Sequence, residues 1–216
     1  MASHKVRILT LCKSIAGEHP GWQFIGGQFV CKVSKDAHFL IDPDFTFKGE
    51  FVRFDINVKV KLPKIVKMVN SISHLKIKMD CVLLEQPNFI NLHTLTGGLS
   101  FQFAGTAITP DEAVSKEIHR WINVGGDYLT QTWPVEDYEA LFDVMQKTAS
   151  CYTGLYGKAL CCLAAYIGKF DFIKQFYAGE LPHKDAIYKL TPTDDNLLAI
   201  LPEWQAQWET TGKITV

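Results

Sequence analysis

Trp22-Gln23-Phe24-Ile25-Gly26-Gly27-Gln28-Phe29-Val30-Cys31-Lys32-Val33-Ser34 is the stretch on which the fold turns. Two strand-forming runs flank a Gly-Gly pair, and glycine closes a two-residue hairpin because it takes the positive φ that such a turn requires. The stretch therefore predicts an antiparallel hairpin. In its second strand Phe29, Cys31 and Val33 share one face. Lys35-Asp36 then turns the chain into a third strand, Ala37 to Ile41.

Upstream, Val6, Ile8, Leu9, Leu11, Cys12 and Ile15 predict a short helix from Lys5 to Ala16, stopped by Gly17 with Pro20 beyond. Downstream, Val52, Phe54, Ile56, Val58 and Val60 alternate with Arg53, Asp55, Asn57, Lys59 and Lys61. That predicts one long strand, Phe51 to Lys61, dry on one face and wet on the other. Pro63 suits a first helical turn, and Ile65, Met68, Val69 and Ile72 form the apolar stripe of a short helix. Leu75, Ile77 and Met79 alternate with Lys76, Lys78 and Asp80 as a further strand, and Gly97-Gly98 precedes another from Leu99 to Phe103.

Beyond Thr109 the period changes from two to 3.6. Thr109-Pro110-Asp111-Glu112 carries a cap, a first-turn proline and an acid, and predicts a helix running to about Val124 and ending at Gly125-Gly126. Pro134 followed by Glu136, Asp137 and Glu139 predicts a second helix, with Tyr138, Leu141, Phe142 and Met145 on its core face. Helices are also predicted from Gly157 to Ile167 and from Phe170 to Tyr177. The segment Asp194 to Glu209 should break near Leu201, ahead of Pro202. The fold class that follows is α+β: an antiparallel or mixed sheet from the N-terminal half, packed by helices mostly from the C-terminal half.

With 216 residues, the chain is predicted to be one domain, 1–216, with a sheet-rich layer over 1–108 and a helical layer over 109–216. At 47% hydrophobic and 21% charged residues it is not a disordered chain. No apolar run reaches the ~18 residues of a membrane helix, and no secretory leader is evident, so a cytoplasmic, non-membrane protein is expected. Six cysteines, two of them adjacent at Cys161-Cys162, read as free thiols of a reducing compartment. Net charge is −1, but residues 1–108 carry 13 Lys and Arg against 8 Asp and Glu, and residues 109–216 carry 9 against 15. Such polarity suggests a basic face for an acidic partner.

The common catalytic spacings G-x-G-x-x-G, G-x-S-x-G, H-E-x-x-H and C-x-x-C do not occur. Gly157-Lys158 resembles the end of a phosphate loop, but Tyr152 replaces its first glycine and Ala159 its hydroxyl residue. The seven histidines are scattered, so neither a metal nor a cofactor is expected. Asp42, Asp44, Glu50 and Asp55, with Lys59, resemble the acidic set of metal-dependent nucleases of the PD-(D/E)xK type, although Asn57 stands where that pattern has lysine. This resemblance makes Asp44, Asp55 and Lys59 candidate catalytic residues. Lys59, Lys61, Lys64, Lys67, Lys76 and Lys78 concentrate positive charge, yet no aromatic residue lies between them to stack a base, so nucleic acid is a disfavoured partner. Trp133, in the loop-like Gln131-Thr132-Trp133-Pro134, is the tryptophan expected to be partly exposed.

Over residues 20 to 61, the runs Gly21 to Phe24, Gln28 to Lys32, Phe39 to Pro43 and Phe51 to Lys61 resemble uncharacterised bacterial α+β proteins of the toxin-immunity type. The resemblance implies a bacterial or phage protein that is not an enzyme. The leading expectation is a non-catalytic binding module that occludes a partner protein, with Arg53, Lys59, Lys61, Lys76, Lys78 and Trp133 at the contact. Two alternatives stand beside it: a degenerate Mg²⁺-dependent nuclease, and a nucleic-acid-binding protein using its basic face.

Overall fold

The computed structural model describes residues 4–48, 51–53, 56–73, 79–85, 111–152, 154–181 and 197–215. The class is α+β. Helix α1 (His4–Glu18) precedes an antiparallel meander of β1 (Trp22–Ile25), β2 (Gln28–Ser34) and β3 (Ala37–Asp42). Ile25 pairs with Gln28, and Gly26 and Gly27 close the turn at φ of 61° and 88°. These are the paired left-handed conformations of the predicted hairpin.

Strands β4 (Thr46–Lys48) and β5 (Phe51–Arg53) form a separate two-stranded sheet. Strand β6 (Asn57–Lys61) belongs to the main sheet, whose order is β1-β2-β3-β6-β7, with β7 at Leu83–Glu85. The single long strand predicted from Phe51 to Lys61 is thus two strands in two sheets. Its wet face is also absent over 57–60, where Asn57, Val58, Lys59 and Val60 are all buried. Both faces of β6 are therefore covered over these residues, and the charge of Lys59 is met by an ion pair instead.

The chain forms two compact units. The first comprises Met1–Val60 and Leu84–Thr132 and includes α1, the meander and helix α3 (Asp111–Thr132). Helix α3 packs on α1 and on β3. It does not stop at Gly125-Gly126 but runs 22 residues straight through them. Both glycines mark close approach: a Cβ on Gly125 would lie 2.8 Å from Ile41 Cδ1, and one on Gly126 would lie 3.1 Å from Trp22 Cζ2. Bringing the helix this near to β1 and β3 outweighs the roughly 1 kcal/mol of helix propensity that each glycine forfeits. Thr109 and Pro110, the predicted start of this helix, lie outside the described residues.

The second unit comprises Lys61–Leu83 and Trp133–Val216. Its elements are α2 (Pro63–Ile72), α4 (Tyr138–Lys147), a 3₁₀ turn (Ala149–Tyr152), α5 (Gly154–Tyr166), α6 (Phe170–Ala178) and α7 (Leu197–Thr211). Helix α5 is the hub, touched by α2, α4, α6 and α7. Gly157 through Ala165 are buried without interruption, Lys158 among them, and the other eight are the apolar or small residues that a central helix requires. Cys161 and Cys162 lie in that run, and all six cysteines are free thiols.

On α2, Ile65, Met68, Val69 and Ile72 are buried as predicted. Helix α4 begins at Tyr138, four residues after Pro134, because the Asp137 carboxylate accepts from the amides of Glu139 and Ala140 at 3.0 Å each. Pro134 sits in the preceding turn, where its carbonyl accepts from Asp137 N–H. Helix α7 passes through Pro202 without breaking. Pro202 lies in its second turn, and the carbonyl to which it cannot donate is that of Leu198, an exposed residue. Buried Leu197, Leu201 and Trp204 then outweigh one lost hydrogen bond. The strand expected at Leu75–Met79 lies outside the described residues except for Met79, and that expected at Leu99–Phe103 lies wholly outside them.

Candidate functional site

The residues predicted for a nuclease or a basic contact face do not assemble among the described residues. Lys59 is buried, and its ammonium donates to Asp42 Oδ2 at 2.6 Å, an oxygen that also accepts from Gln28 Nε2 at 2.9 Å. Its charge is spent inside the sheet and not on a basic surface, while Asp44 is exposed on the loop after β3. Asp55, Lys76 and Lys78 lie outside the described residues. Arg53 ends β5, and Lys61 ends β6 half-buried.

Trp133 is not a surface residue. It is 2% exposed, drawn inward with Val135 by the tight turn in which Val135 N–H donates to the Trp133 carbonyl at 2.9 Å. Nor does the charge asymmetry of the linear sequence survive folding. The first unit holds 10 Lys and Arg against 11 Asp and Glu, and the second 12 against 12. The remnant of the lysine cluster is local, with Lys64 and Lys67 exposed on α2 and Lys64 donating to the Tyr166 hydroxyl at 3.2 Å.

Functional groups converge instead on a cleft of about 400 Å³ in the first unit. Its floor is Val33, Phe39 and Ile122, and Cys31 and Trp22 rise from the meander on one side. On the other side, α3 presents Asn123, Asp127 and Thr130 at spacings of four and three, which place them along one helical edge. All three are exposed, so they form a polar rim over an apolar floor. Gly126 completes the helical wall, and without a side chain it lets the Trp22 ring seat beside it.

His19 closes one end of the cleft, and its Nε2 lies 2.8 Å from His119 Nδ1. One of these nitrogens donates and the other accepts, so the contact requires at least one neutral ring. Burial first, and then the neighbouring His119, push the His19 pKa below its usual value, although the adjacent Glu18 opposes them. Burial raises the Cys31 pKa, leaving a thiol and not a thiolate facing the cleft. Shape and polar contacts are therefore what this cleft offers, without an activated nucleophile.

Linear reading misses these residues for identifiable reasons. His19 and His119 are 100 positions apart, and no spacing rule connects them. Asn123, Asp127 and Thr130 are legible as one helical edge only if the helix continues past Gly125-Gly126. Among the described residues, no helix is long and apolar enough to cross a membrane, and no three His, Cys, Asp or Glu side chains converge as a metal site. Comparison of the chain with protein-family models, curated proteins and solved structures finds no match.

Proposed function

We propose that the chain is a non-catalytic binding module that engages a partner protein through its first unit, its contact surface being the β1–β2 hairpin and the cleft beside it. The observation that carries this reading is Ile25. It is 52% exposed at the tip of β1, which among the described residues is an edge strand paired only with β2 in the main sheet. Natural sheets guard their edges with charges or proline, and Trp22-Gln23-Phe24-Ile25 has neither. Trp22 of the same strand walls the cleft from the other face, three residues before Ile25, so the edge strand carries an apolar tip on one face and the cleft on the other. A partner that wraps this edge meets the apolar tip of Ile25 on one face and the polar rim of the cleft on the other, the two ingredients of a protein interface. Occlusion of the partner's own working surface, as an inhibitor or immunity protein acts, is the most concrete form of this function.

Ile25→Asp tests it. The unsubstituted chain should co-purify from its native cells with one protein at fixed stoichiometry. Ile25→Asp should lose that protein, and Glu203→Lys, an exposed position on α7, should keep it. Retention of the same partner by Ile25→Asp would overturn the reading. So would metal-dependent cleavage of DNA by the purified chain that Asp44→Ala or Asp55→Ala abolishes.

A further inference from the structure

Resting on the protein-binding reading above, we infer that the cleft between α3 and the meander receives a cationic side chain of the partner, an arginine or lysine whose stem lies on Val33, Phe39 and Ile122 and whose charge meets Asp127. This reverses the expectation of an acidic partner on a lysine-rich face. The reversal comes from the lining: Asp127 is the one formal charge among the described lining residues at neutral pH, and no lysine or arginine is among them. His19 adds no positive charge at that pH, because burial first and then His119 hold its pKa below the usual histidine value.

An amphipathic cation fits this surface better than an anion or a purely apolar group. Lysine and arginine carry three or four methylenes under a charged head, and they bury the stem while the head stays at a wet rim. The cleft offers that order of environments, from an apolar floor to the exposed carboxylate of Asp127, with the Asn123 carbonyl and the Thr130 hydroxyl as further acceptors. Thr130 donates its own hydrogen to the Gly126 carbonyl at 2.9 Å, which leaves its oxygen facing outward as an acceptor. The Trp22 ring supplies an aromatic wall of the kind on which guanidinium groups stack. Of the titratable groups on the packed elements, His19 after α1, Asp127 on α3 and Cys31 on β2 line the cleft, while His119 contacts His19 and Glu18 contacts His119.

NMR titration of the full chain with arginine amide, and with citrulline amide as its neutral near-isostere, tests the assignment. Arginine amide should shift the Trp22 indole resonance and the backbone amides of Asn123 and Asp127, and citrulline amide should do so at least tenfold more weakly. Asp127→Asn should reduce the arginine response by about tenfold without altering the rest of the spectrum. Equal responses to the two amides, or an undiminished response in Asp127→Asn, would overturn the assignment of a cation. Absence of any shift at these residues would overturn the cleft as a side-chain receptor. Neither failure touches the Ile25→Asp experiment, which tests partner binding itself.

Discussion

Lys59 and Asp42 form an ion pair within the main sheet, 2.6 Å apart, with Lys59 only 7% exposed and Gln28 bonded to the same carboxylate oxygen. Removing one partner takes from the other a charge-assisted hydrogen bond at a largely buried site. Asp42→Ala should therefore destabilise the chain by roughly 3 kcal/mol, less than a wholly dry pair would lose because the Asp42 side chain keeps 18% of its exposure. Lys61→Ala, half-buried at the end of β6, should cost under about 1 kcal/mol. Urea denaturation of both variants checks the difference, and equal losses would show that Lys59 and Asp42 are not coupled as described.

Gly168 is held at φ 81°, and a Cβ there would lie 2.5 Å from the Trp208 indole. Gly212 has φ 64° but open space around it. Gly212→Ala should show only the backbone cost of the left-handed region, about 1–2 kcal/mol. Gly168→Ala adds an overpacking penalty against a rigid ring and should cost about 2–5 kcal/mol in total. Trp208→Leu should recover part of the excess in the double variant, and thermal denaturation of the set measures it.

Lowering of the His19 pKa makes folding depend on pH. The unfolded chain binds a proton at this ring near pH 6.5, while the folded chain resists it, so protons favour unfolding in the interval just below. Stability from this group is complete above about pH 6.5 and declines as pH falls through the interval down to the folded value. His19→Gln should flatten that part of the stability profile. An unchanged slope between pH 7.5 and 5 in the variant would refute the role given to the ring.

Thiol reactivity should separate the cysteines in two classes. Cys31 is half-exposed, whereas Cys12, Cys81, Cys151, Cys161 and Cys162 are buried, and burial pushes the Cys12 pKa up to about 12. In native buffer iodoacetamide should label Cys31 first, more slowly than a free thiol because its pKa is also raised, and the other five only after unfolding. Peptide mass mapping over time reads the order directly.

Local chemistry was sufficient for much of this architecture. Gly26-Gly27 dictated a hairpin because few other pairs take two successive left-handed conformations, and the 3.6-residue spacing of Ile65, Met68, Val69 and Ile72 dictated a buried helical face. The unbroken apolar run around Cys161-Cys162 likewise required a central helix. Tertiary packing decided the rest. Gly125-Gly126 has the composition of a helix stop, yet close contact with Ile41 and Trp22 carries α3 through it and thereby aligns Asn123, Asp127 and Thr130 over the cleft. Lys59 alternates with valines as a solvated residue would, yet Asp42, seventeen positions earlier, draws it inside. Trp133 lies in a polar loop sequence but is buried by its turn. For Gly125-Gly126 and for Lys59 the deciding energy is a contact between residues distant in the chain, which spacing along the sequence does not encode.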